Sequence, residues 1–123
     1  MELIGPLQVK VMHHIWKRGP STVHDVHDQL MADPDEKRLA YTTILTVMRN
    51  LSRRGFLTQT PDGRAHRFTA RIEEGQYKCE LLRHVRQEIF RNDLRAMLDA
   101  AATDESLTTQ ERDQLRGMML AGG

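Results

Sequence analysis

The sequence predicts a mainly α-helical fold with a minor β component, in two segments, 1–71 and 72–123. Apolar residues recur at helical spacing along most of the chain. One short stretch changes instead to strand-like runs around strong turn residues. Aromatic residues are 5% and charged residues 28% of the 123, so any core is small and aliphatic.

Pro6 suits the first turn of a helix, and Leu7, Val11, Met12, Ile15 and Trp16 follow as an apolar stripe that ends before Gly19-Pro20. In "STVHDV", Thr22 and Asp25 have capping-box spacing, and Val23, Val26 and Leu30 mark a second helix. "MADPDEKR" reads as a charged loop around Pro34. The third helix lies in "RLAYTTILTVMRNLSRRGF", residues 38–56. Its stripe is Ile44, Val47, Met48 and Leu51, and it stops at Gly55. Phe56–Thr60 and Ala65–Ala70 are strand-like, and Pro61-Asp62-Gly63 between them reads as a hairpin turn. Three short helices followed by a hairpin is the layout of a winged helix-turn-helix.

The second segment is purely helical in pattern. Tyr77, Leu81, Val85 and Ile89 recur every fourth residue, with Leu82 alongside. A break is expected near Asn92-Asp93, after which Leu94, Met97, Leu98 and Ala101 continue. Thr108 and Glu111 form a capping box for a last helix, whose buried candidates are Leu115, Met118 and Met119. Three short helices with narrow apolar faces do not enclose a core by themselves. They are expected to pack on the first segment or on a second chain. The expected seam is Tyr77, Leu81, Leu82, Val85, Ile89, Leu94, Met97, Leu98, Leu115 and Met119.

Net charge is +1, but it is unevenly placed. Residues 1–70 hold ten basic and seven acidic side chains, and residues 71–123 hold eight and ten. Between 40 and 70, Arg49, Arg53, Arg54, Arg64 and Arg67 face a single acid, Asp62. A basic block beside a near-neutral remainder points to a polyanion partner for one part; a merely solvated arginine surface is the plain alternative.

The third helix says more. Opposite its apolar stripe lie Thr42, Thr46, Arg49 and Arg53, with no acid among them. A helix of this kind fits the major groove of DNA. There threonine can bond a base or pack on a thymine methyl, and arginine can pair with guanine or hold a phosphate. Asn50 on one flank is a candidate for adenine, and Leu45 on the other, expected to be exposed, for thymine methyls. Tyr41, Thr42 and Thr43 open the helix, where backbone N–H groups attract phosphates. Arg64 at the hairpin tip, with His66 and Arg67 on the return strand, could grip the flanking backbone.

Other chemistry is sparse. The single cysteine, Cys79, rules out an intrachain disulfide framework and multi-thiolate metal sites, and it is expected to be a buried or half-buried filler. His24 and His27 stand three apart, yet nothing completes a metal signature, and solvated helix histidines are the expected state. No nucleophile–base set, phosphate-cradling glycine loop or paired-carboxylate signature is present, so neither enzyme activity nor a cofactor is expected. No signal peptide or membrane-length apolar run is visible, and a reduced, cytoplasmic setting is expected. The residues alone favour a DNA-binding module. A winged-helix protein-interaction module and a ligand- or metal-responsive regulator stay open.

Taken together, "IGPLQVKVMHHIW", "STVHDVHDQL", "LAYTTILTVMRNLSRRGFL" and "DGRAHRFTA" resemble the BlaI/MecI/CopY, or penicillinase-repressor, family of bacterial repressors. The family pattern of Ala-Tyr-Thr-Thr, two apolar residues and Thr is met from Ala40 to Val47. The resemblance implies a homodimeric winged-helix repressor with a C-terminal dimerisation arm, each monomer reading half of a pseudo-palindromic operator. It places base and phosphate contacts at Thr42, Thr43 and Thr46. Many members carry a basic residue where this chain has Asn50, its arginine standing one earlier at Arg49, which implies a different sequence preference. In the best-known members a membrane-bound sensor protease cuts an Asn-Phe bond in the arm. Here Ala100-Ala101 takes that place, which speaks against such a partner. The ending "LRGMMLAGG" lacks the cysteine-rich motif of the copper-sensing members.

Overall fold

The computed structural model describes residues 3–121; the outermost residues of the two expected segments, 1–2 and 122–123, lie outside the described part. The chain divides into two compact units, one running up to Lys78 and the other from Cys79 onward.

In the first unit, α1 (Pro6–Arg18) starts on its proline, and the Gln8 side chain accepts the Gly5 N–H at 2.8 Å. Its inner face is Val11, Met12 and Ile15, all buried. A two-residue strand, β1 (Ser21–Thr22), leads directly into α2 (Val23–Met31). The expected capping box is formed: Asp25 N–H donates to Thr22 Oγ1 at 3.1 Å, and Thr22 N–H donates to Asp25 Oδ2 at 3.0 Å. The Thr22 amide holds the Asp25 carboxyl below the usual carboxylate range.

Next comes α3 (Tyr41–Arg53), with Ile44, Met48 and Leu51 fully buried. Gly55 closes it at φ +86°, where a side chain would be strained. The Phe56 N–H then reaches Leu51 O at 2.9 Å and the Gly55 N–H reaches Ser52 O at 3.2 Å, the paired bonds of a Schellman cap.

Two longer strands follow, β2 (Leu57–Asp62) and β3 (Ala65–Ala70). The sheet is antiparallel, in the order β1-β3-β2. The turn falls one step later than expected. Pro61 and Asp62 pair with His66 and Ala65, so the connection is Gly63-Arg64, with Gly63 at φ +62°. Glycine at the first central position suits a two-residue hairpin turn. Phe68 on β3 is fully buried, and Trp16 Nε1 donates to Ile72 O at 2.9 Å.

The unit ends inside α4 (Glu74–His84). Tyr77, expected on a dimer seam, is buried here instead, its ring 5.8 Å from both Trp16 and Phe56. Its helical spacing matched the arm, but aromatic packing on the first unit claims it.

In the second unit the helix widens into a π turn over Val85–Ile89 and stops. Arg91 and Asn92 take left-handed backbone at φ 51° and 66°. Asn92 N–H donates back to Arg86 O at 2.8 Å, and the Arg86 guanidinium donates to Asn92 Oδ1 at 3.0 Å. The break was expected; the π winding has no periodic signal. Asp93 caps α5 (Leu94–Ala102) through the Ala96 N–H at 2.9 Å. The Thr108–Glu111 box opens α6 (Thr109–Ala121), and Arg112 ties the intervening loop by donating to Ala102 O and Asp104 O.

From Cys79 onward, only Ala102 and Met119 among the described residues are buried. Met119 is thus covered within the single chain and is not free for a second one. Met118, an expected core residue, is 68% exposed, and Cys79 is exposed rather than packed. Each lies on a helix that buries a single residue, Tyr77 in α4 and Met119 in α6, so most positions face water.

Candidate nucleic-acid interface

The outer face of α3 carries Tyr41, Thr42, Thr46, Arg49 and Arg53, all exposed. Its apolar stripe is committed to the core, so these side chains are held outward by the burial of Ile44, Met48 and Leu51. No side chain caps its N-terminus, and its first turn has no acid, so the positive end of the helix is not neutralised locally. Thr46 Oγ1 donates to Thr42 O at 2.9 Å, which leaves its oxygen able to accept, and the residue is exposed. Thr43 is half-buried and Leu45, expected to be exposed, is half-buried as well.

The five arginines of the basic block separate into two groups. Arg49, Arg53 and Arg64 make no side-chain hydrogen bond or ion pair with another described residue. Arg54 and Arg67 are structural. Arg54 donates to Leu3 O at 2.7 Å and Gln8 Oε1 at 3.2 Å and lies 5.5 Å over the Phe56 ring. Arg67 donates to Asp62 at 2.9 Å and to Pro20 O at 3.1 Å, pinning the hairpin to the start of β1. Asn50 is likewise engaged: its Oδ1 accepts from Gln8 Nε2 at 2.7 Å, and it is half-buried. Asn50 and Arg67, both expected to contact DNA, therefore also carry bonds within the chain. Both fix α3 and the hairpin, through long-range partners that spacing does not announce. Gln8 joins α1 to α3 through Asn50 and Arg54, and nothing in the sequence singled it out.

At the hairpin, Arg64 and His66 are exposed beside α3. A cavity of about 220 Å³ opens between α3, the hairpin and the start of α2, with His24, Arg49, Arg64 and His66 in its wall. His24 is paired with Asp28 at 3.0 Å. His27 is not solvated: its Nε2 donates to Leu39 O at 2.8 Å and its ring lies edge-on to Tyr41, locking the loop before α3. No group of three metal-ligating side chains occurs among the described residues. No helix among them is long and apolar enough to cross a membrane.

A three-helix unit with a small antiparallel sheet and an acid-free, exposed third helix defines the winged helix-turn-helix class. The chain belongs to the penicillinase repressor family, a family of winged-helix transcriptional regulators rather than enzymes, whose model matches residues 4–121. It is 44% identical over 66 residues to the transcriptional regulator BlaI of Mycobacterium tuberculosis, in strains CDC 1551 and H37Rv. That match covers 53% of this chain and 46% of the relative, so the chain aligns with about half of the relative's length. Among solved structures, the DNA-binding domain of the repressor BlaI matches with a TM-score of 0.52 and 27% identity, over 60% of this chain and 87% of that one. Bacillus licheniformis BlaI, in monomeric form in complex with the blaP half-operator, matches with a TM-score of 0.51 and 26% identity, over 62% and 89%. A MarR family protein from Bacillus stearothermophilus shares the fold over 98% of this chain at 19% identity, with a TM-score of 0.50.

Proposed function

We propose that this chain is a sequence-specific repressor that binds double-stranded operator DNA as a homodimer, in the cytoplasm. The observation that carries this reading is the outer face of α3, where Arg49 and Arg53 are exposed and unengaged among the described residues and no acid is present. The similarity to a BlaI in complex with a half-operator supports DNA binding. Thr42 and Thr46 read base edges, Arg49 and Arg53 take guanine or phosphate, and the first turn from Tyr41 to Thr43 takes phosphate. Arg64 and His66 hold the flanking backbone.

Dimer formation rests on the second unit. It buries almost nothing by itself, while Leu82, Ile89 and Leu94 are 56%, 69% and 53% exposed. Leu81, Val85, Met97, Leu98 and Leu115 are half-buried and complete the proposed seam. Large apolar side chains left in water on one unit call for a partner. Pairing two reading helices across roughly one or more DNA turns of 34 Å turns two weak contacts into one tight one. Relief of repression by cleavage at Ala100-Ala101 is not part of this reading, since that pair lies inside α5 and lacks the Asn-Phe bond.

Titration of a labelled duplex at several salt concentrations tests the function. Affinity that falls steeply and linearly on a log–log plot supports phosphate contact by counterion release. Absence of duplex binding at low salt favours a protein-docking module instead.

A further inference from the structure

The cavity between α3 and the hairpin is walled by three separate parts of the first unit. His24 comes from the first turn of α2, Leu45 and Arg49 from α3, and Arg64, Ala65 and His66 from the hairpin. Four of these six carry or can carry positive charge, and no acid lines the cavity. Carboxylates reach it only from outside: Asp28 is paired with His24 at 3.0 Å, and Asp25 lies within electrostatic range of His24. The other titratable group in the wall is Tyr41. Arg67, on β3, is held by Asp62. His66 makes no ion pair with a described residue.

A cationic rim over the apolar surface of Leu45 and Ala65 suits an anion attached to a small apolar body. A deoxyribose-phosphate unit has that form, with a hydrocarbon sugar edge and one negative charge. Inorganic phosphate would leave the apolar wall unmatched. Position agrees with chemistry: a helix lying in a groove has the DNA backbone as the groove's wall, and the hairpin beside α3 stands where that wall passes.

We infer that this cavity seats one sugar–phosphate unit of the duplex backbone, and that His24 and His66 make its occupation proton-linked. The inference rests on the DNA-binding reading. An anion beside an imidazole favours its charged form, and histidine is the side chain that changes charge between about pH 5 and 8. Linkage is reciprocal, so protons that bind more tightly in the complex tighten the complex as pH falls. His66 carries the larger share, because His24 already has Asp28 as an anionic partner in the free chain and gains less from a phosphate.

The test is anisotropy of a labelled mixed-sequence duplex of about two helical turns, titrated with the full chain near pH 8 and near pH 6 at constant ionic strength. The dissociation constant is expected to fall about sixfold at the lower pH, the ratio that follows over this range when bound DNA raises the pKa of one ordinary histidine by about one. His24→Gln with His66→Gln is expected to cut that ratio to about twofold or less, with His66→Gln alone giving most of the effect. Thermal melting followed by circular dichroism checks that the variants fold. Calorimetry in two buffers of different ionisation enthalpy reads proton uptake on the unaltered chain, independently of any variant. Net uptake supports the inference; zero uptake, or a double variant with the original pH ratio, overturns it while leaving DNA binding standing. Displacement of the duplex by inorganic phosphate at matched ionic strength would assign the cavity to a free anion and also overturn it. Failure to bind the duplex at either pH removes the DNA-binding reading itself.

Discussion

His14 shows how one side chain can tie stability to pH. Its Nε2 lies 3.1 Å from Ser21 Oγ, whose single proton is donated to Gly19 O at 2.9 Å. His14 is therefore the donor of that pair, and its proton sits on Nε2. Its Nδ1 is buried with no partner. A second proton there would be buried unpaired, and burial, followed by the nearby Arg18, pushes the His14 pKa below 6.5. The sign follows from linkage: the unfolded chain takes up the proton first, so the His14 contribution is intact above about pH 6.5 and is lost as pH falls through the lowered native value. Denaturant unfolding near neutrality and near pH 5 is expected to show a smaller loss for His14→Gln than for the unaltered chain; equal losses would contradict this. Gly55 gives a second case. At φ +86° it closes α3, and Gly55→Ala is expected to cost about 1 kcal/mol in unfolding free energy. Gly55 was legible because a helix-ending glycine has a local cause. Asn50, Arg54 and Arg67 were not, because their partners Gln8, Leu3, Asp62 and Pro20 are set by tertiary packing.

Each helix of the first unit that the pattern predicted is present, because its signals are local: Pro6 at the start of α1, the Thr22–Asp25 box at α2, and the four-residue stripe with Gly55 at α3. Thr22→Ala is expected to cost about 1 kcal/mol through loss of that cap, read by chemical denaturation. β1 escaped notice because two residues have no periodicity; the register Ser21 to Phe68 exists only once β3 is in place. Within α3, Thr46 and Arg53 are expected to behave differently. Thr46→Ala should change which base is preferred at one operator position, by about 1–3 kcal/mol of discrimination. Arg53→Ala should weaken all duplexes alike and lower the salt slope by about 1. Uniform losses for Thr46→Ala would argue that it does not read bases.

The molecule as a whole joins a unit with a complete small core to one that leaves its apolar side chains largely in water. The first unit was the more legible, since core stripes, turn residues and caps all agreed there. In the second segment, helical spacing assigned Tyr77 and Met119 to a shared seam and Met118 to a buried position, and packing then covered the first two within the chain and left Met118 exposed. Val85→Asp with Ile89→Asp is expected to yield monomers in analytical ultracentrifugation and to weaken operator binding strongly; an unchanged dimer would contradict the assigned seam. The central claim is a two-fold reader of a specific DNA sequence, and selection of bound sites from a random duplex pool, with purified protein at moderate salt, addresses it most directly. The account predicts enrichment of a two-fold symmetric motif, its half-sites separated by a whole number of helical turns. Salt-sensitive binding with no enriched sequence would contradict it and reduce the face of α3 to generic phosphate contact.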